Sequence, residues 1–164
     1  SSIILGKFIG FGTVMLMMVA FQTIVLITML MMRGIEIDTL LYYAILGIVI
    51  KLFILLGLIL FFSSFVSPMI AMFLTIASYM IGHSGYTLLE YARFGGEVMM
   101  AYVGQAILIF FPNLEALNLK NYVATDAPLI LSNWFTGYAM GILYIFVILI
   151  LTSWIFSRRS FDNA

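Results

Sequence analysis

Cysteine is absent from the 164 residues, which excludes thiol catalysis, thiolate metal sites and disulfides and leaves no clue to the redox compartment. Charge is scarce as well: Asp, Glu, Lys and Arg make up 9% of the chain against 65% hydrophobic residues, where soluble domains carry about 25% charge. With a mean hydropathy of +1.21, so little charge cannot cover the surface of a water-soluble globule of this size, and the bilayer is the expected solvent. Seven basic residues balance seven acidic ones, so there is neither a basic surface for nucleic acid nor an acidic tail. The sequence contains no GxxxxGK[ST] phosphate loop, no HExxH helix and no acidic pair inside an apolar run. It is therefore expected not to be an enzyme and to bind no metal or cofactor itself.

What is present is a series of long apolar runs with the few charges between them. A spanning helix needs about 20 apolar residues, and the sequence predicts an all-α polytopic membrane protein, one transmembrane domain over 1–164, with spans at about 8–32, 40–62, 68–81 and 132–156. Ser67 and Pro68 suit the N-cap and first turn of the third helix. Between the last two spans, 82–131 forms an outer segment with Glu90, Arg93, Glu97, Glu115, Lys120 and Asp126. Within it, Val98 to Phe111 is apolar but about half the length of a crossing, and Pro112 stops it, so a re-entrant or interfacial helical segment is expected before the last helix. Asn113 to Lys120 reads as a short amphipathic helix. Lys7 before the first span and Arg158 and Arg159 after the last favour cytoplasmic placement of both ends. The chain begins at Ser1 with an apolar stretch too long for a signal peptide, and reads as a processed chain or a fragment lacking its upstream part.

Few residues in the spans can carry chemistry. Lys51 lies near the middle of the second span, where insertion of a charge costs about 2.5–3.5 kcal/mol. Gly47 and Ala44, before it, give a narrow face that could pack on another helix or line a polar path. The alternatives are a substrate pathway and a structural lysine that pairs with a neighbouring carboxylate or snorkels. Gln22 in the first span is a possible hydrogen-bonding companion. Gly6 with Gly10, and Gly137 with Gly141 preceded by Asn133, form GxxxG seams that allow close helix approach, within the chain or in a dimer. His83, the only histidine, is expected to be solvated or capping, with Glu90, Glu97 and Asp126 as conceivable partners. Glu90, Arg93 and Glu97 have the spacing of a salt-bridged helix face. Trp134, Trp154 and Tyr42-Tyr43 suit an aromatic belt.

Four strings, in order, resemble one family. Ser2-Ile-Ile-Leu-Gly-Lys-Phe-Ile-Gly10 resembles the "LGK-x-x-G" string that opens the third transmembrane helix of ABC-2 type permeases, the membrane subunits of ATP-binding-cassette transporters. Phe62-Ser63-Ser64-Phe65 resembles the end of the fourth helix, and Pro112-Asn113-Leu114-Glu115-Ala116-Leu117-Asn118 the "PNLE-x-x-N" segment before the last. Tyr144 through Phe161 resembles the closing helix and its "F-x-R-R-x-F" tail. The resemblance implies helices three to six of a six-helix permease in a bacterial cytoplasmic membrane. It also implies a separate ATPase subunit that binds ATP and Mg, a second permease copy, and alternating access for an unidentified substrate. Lys7, Arg158 and Arg159 would lie near the ATPase. The other readings are a small ion-coupled carrier or channel using Lys51, and a non-transporting membrane scaffold.

Overall fold

The computed structural model describes residues 2–95, 98–111, 113–118 and 131–161. Among these it is all-helical: α1 (Ser2–Met32), α2 (Thr39–Ser63), α3 (Pro68–Gly95), α4 (Val98–Phe110) and α5 (Leu131–Phe161). Three helices are long and apolar enough to cross a bilayer, over Ile3–Met32, Thr39–Ser63 and Phe135–Arg158. The chain is thus a helical, membrane-embedded protein. The expected fourth span is not among the three. α3 begins at Pro68 as predicted, with the Ser67 carbonyl accepting its first helical bond from Ala71 N, but it runs on to Gly95 through polar residues that dilute its hydropathy.

Local chemistry explains where the helices stop. α1 ends in a left-handed Gly34 with φ 69°. Gly34 N donates to Met31 O and Ile35 N to Leu30 O, the pair of bonds that satisfies carbonyls left over at a helix end. At the end of α2, Ser63 and Ser64 donate their hydroxyls to Leu60 O and Phe61 O. Hydroxyls inside the helices are satisfied the same way: Thr13, Thr28, Thr75 and Thr152 each donate to the carbonyl four residues earlier. Lipid offers no partner for such groups, so a local acceptor is what makes them tolerable there.

α2 is the hub, packing on α1, α3 and α5, while α4 packs only on α3. The contacts of Gly47 with Tyr138, Ile50 with Gly141 and Gly57 with Ile148 advance together along both chains, so α2 and α5 run parallel. The short connection at 33–38 makes α1 antiparallel to α2. The start of α1 and the end of α5 therefore meet at the end of the bundle where α2 finishes. Apolar burial gives helices little reason to associate in lipid, and close van der Waals packing must supply it. α3 accordingly buries small residues, Ala71, Thr75, Ser78, Gly82, Gly85 and Ala92. At Gly85 and Gly104 the α3–α4 hairpin is so close that a Cβ would meet Ile107 at 2.8 Å or Leu89 at 2.9 Å.

Candidate functional site at the 113–118 turn

The segment read as an amphipathic helix from Asn113 is a turn over its described part, 113–118, and not a helix, although its two leucines are buried together. Asn113 starts it: its Oδ1 accepts from Ala116 N at 3.1 Å, the local bond that lets Asn compete with helix formation. Asn118 N donates to Glu115 O at 2.9 Å, and Asn118 Nδ2 donates to both oxygens of the Glu115 carboxylate, at 3.1 and 3.3 Å. Leu114 and Leu117 point inward, 0% and 2% exposed, and join Ile50, Ile54, Leu58 and Ile148 in the core.

Three glycines form the seat. A Cβ on Gly47 of α2 would stand 2.7 Å from Leu117 O, one on Gly137 of α5 3.1 Å from the Ala116 Cβ, and one on Gly141 2.8 Å from Ile50 and 3.6 Å from Leu117. The hydroxyl of Tyr138 donates to Tyr43 O at 2.7 Å beside them, tying α5 to α2. The narrow face of α2 predicted around Gly47 thus receives a turn of backbone as well as a helix.

On the other side, His83 Nδ1 of α3 lies 2.5 Å from Glu115 Oε2, with both side chains about three-quarters covered. It is an ion pair when the imidazole is protonated and a charge-assisted N–H to carboxylate bond when it is neutral with the proton on Nδ1. The Tyr79 ring meets His83 edge-on at 5.1 Å between centroids. Beyond His83 an open groove of about 350 Å³ runs along Ser84, Thr87, Leu88 and Tyr91. His83 is therefore partnered, by an acid that the sequence spacing did not suggest. The available signal was Glu115 bracketed by two leucines ahead of a glycine pair, a carboxylate carried into the bundle by its neighbours.

The other predicted residues separate by place. Lys51 is half-buried on α2 and engaged with a neighbour, one helical turn past Gly47 on the same side. Gln22 is exposed on α1. A Cβ on Gly6 or Gly10 would meet nothing within 4 Å, so these two form no seam among the described residues. The seam on α1 is instead Gly12, where a Cβ would meet Phe53 at 2.8 Å, with Phe8 and Phe53 in ring contact. Lys7 is exposed near the start of α1, and Arg158 is exposed near the end of α5 with its guanidinium 4.0 Å above the Trp154 ring, a cation–π contact. Glu90 and Arg93 are exposed on α3 and form no ion pair with each other. Asn113 and Glu115 belong to the turn; Pro112, Glu97 and the side chains of Asn133 and Arg159 lie outside the described residues.

No group of three His, Cys, Asp or Glu suited to a metal occurs among the described residues. What the arrangement can do is hold a short polar turn inside a helical bundle and connect it to α3 through one charge-assisted contact. No protein-family model matches the chain, and no curated protein or solved structure shows significant similarity to it.

Proposed function

We propose that the chain is the membrane-spanning part of a transporter permease of the ABC-2 type. In this reading it moves a substrate across a bacterial cytoplasmic membrane by alternating access, driven by a separate ATPase subunit that binds ATP and Mg, with a second permease copy. The ordered strings from Leu5-Gly6-Lys7 to Arg158-Arg159 suggest it, and one structural observation supports it best. A half-length apolar helix, α4, turns back along α3 and delivers a buried turn between the last two long helices, as a re-entrant element should. Non-helical backbone at membrane depth survives only where protein shields it, and the Gly47, Gly137 and Gly141 seat supplies that shield.

α3 is the fourth crossing in this proposal. Its 28 residues extend about 42 Å, beyond the roughly 30 Å hydrocarbon core. Its polar half is covered in part by α4 and the turn. Four crossings would leave both ends on one side, and Lys7 and Arg158 favour the cytoplasm for that side. Affinity purification of the chain from its native membranes tests the proposal. An ATP-binding-cassette subunit should come with it, and a preparation that reproducibly lacks one removes the ABC-2 reading.

The half-buried Lys51 favours a second reading, an ion-coupled carrier in which that amine lies on the path. Lys51→Met separates the two: transport per molecule should collapse in the carrier, whereas a lysine that only braces α2 leaves it within a few-fold of the parent when membrane abundance is matched.

A further inference from the structure

α3 and α5 both flank α2, yet among the described residues their backbones do not approach each other closely. The turn stands in the seam between them. Glu115 reaches His83 on α3, Ala116 rests on Gly137 of α5, and the Leu117 carbonyl rests on Gly47 of α2. Farther along the bundle the seam is lined by Tyr79 of α3 and Tyr144 of α5, both packed on the core. Lys51 follows Gly47 by one turn on the same side of α2, so it lies behind the turn as α2 runs inward.

Two properties distinguish this turn from an ordinary loop. Apart from the His83–Glu115 contact, its hydrogen bonds among the described residues are internal, Ala116 N to Asn113 Oδ1, Asn118 N to Glu115 O and Asn118 Nδ2 to the Glu115 carboxylate. It can therefore leave its seat as a unit without breaking a helix ladder. Its seat on α2 and α5 is made of glycines, which offer close approach but no interlocking side chain. What retains it is the pair of buried leucines and the His83–Glu115 contact.

We infer that the 113–118 turn is a displaceable plug in the α3–α5 seam, latched by His83 and Glu115, and that releasing the latch opens an aqueous route to the Lys51 face of α2. The inference requires a membrane-embedded chain but no ATPase partner, so its test is separate from that of the proposed function.

The absence of cysteine gives a background-free assay. The full chain carrying Lys51→Cys is placed in membranes and treated with a membrane-impermeant methanethiosulfonate reagent. Four versions are compared: the latch intact, Glu115→Gln, His83→Gln, and the exchanged pair His83→Glu with Glu115→His. Labelling should be slow with the latch intact, about tenfold faster in either single variant, and slow again in the exchanged pair. Equal rates in all four overturn the inference, and so does an exchanged pair as fast as the single variants, since that outcome means general loosening. A second measurement covers a single variant that accumulates poorly. Ala116→Cys with Gly137→Cys, whose Cβ positions are 3.1 Å apart, lies near disulfide reach. Its oxidative cross-linking should be efficient with the latch intact and fall several-fold when His83→Gln or Glu115→Gln is added. An unchanged yield means the turn stays seated and the plug is refuted.

Discussion

Two pairs of glycines share one spacing and have opposite surroundings. Gly137 and Gly141 on α5 are filled against Ala116, Ile50 and Leu117, whereas Gly6 and Gly10 on α1 face open space. The helices that bear them differ in the same way: the most apolar stretch of α1 buries none of its residues inside the chain, and that of α5 buries 17%. GxxxG spacing thus states that a backbone can be approached closely and says nothing of what approaches. On α5 the visitors are the turn, through Ala116 at Gly137, and α2, through Ile50 at Gly141.

The sharpest way to break the comparison is to empty the occupied seat. Leu117→Ala removes a side chain that is 2% exposed and should destabilise the protein by about 2–5 kcal/mol, the range for a core leucine replaced without collapse. Thermal unfolding in detergent should show a clear drop in midpoint, and a midpoint equal to the parent's would mean that the turn is not part of the core. Next comes filling the seat. Gly47→Ala places a methyl 2.7 Å from a backbone carbonyl, which cannot rotate away as a side chain can. Overpacking of this kind costs about 1–3 kcal/mol, against about 1 kcal/mol gained from helix propensity. The expected net result is a smaller loss of midpoint than for Leu117→Ala, and a variant more stable than the parent would place the turn elsewhere.

A lesser effect is expected at the bond that fastens α5 to α2. Tyr138→Phe deletes the donor to Tyr43 O while keeping the ring, and should lower stability by about 0.5–1.5 kcal/mol. Its midpoint should fall between those of Gly47→Ala and the parent. A loss larger than that of Leu117→Ala would make this hydroxyl, and not the turn, the main fastening of α5.

How far the sequence could be read follows from what its signals report. The charges at Arg33, Glu36 and Asp38 and the Ser63-Ser64 pair mark where apolar runs end, and α2 begins and ends within a residue of the predicted 40–62. At α3 the expected limit of 68–81 marks the end of an apolar run and not of the helix: hydropathy reports solvent and not backbone conformation, and the helix continues through Gly82, His83 and Ser84 to Gly95 with α4 packed on Gly85. Arg158 likewise continues α5 instead of ending it, since a helix may leave a membrane without unwinding. The half-length apolar segment at Val98 was legible from length alone. The His83–Glu115 contact was not, because it joins residues brought together only by the return of α4 along α3.

The smallest effect belongs to the vacant pair. Gly6→Ala with Gly10→Ala adds two methyls where nothing lies within 4 Å, on exposed positions of a helix. Within an isolated chain the only consequence is the helix propensity gained, up to about 1 kcal/mol per site, so the midpoint should hold or rise slightly. A second chain seated on α1 would reverse the sign, because the methyls would then meet backbone or packed side chains across the interface. Unfolding measured at two protein-to-detergent ratios separates these cases. A variant at least as stable as the parent at both leaves Gly6 and Gly10 facing lipid. A loss of stability confined to the concentrated sample, accompanied by less cross-linked dimer, would give the second glycine pair an occupant and make the two seats alike.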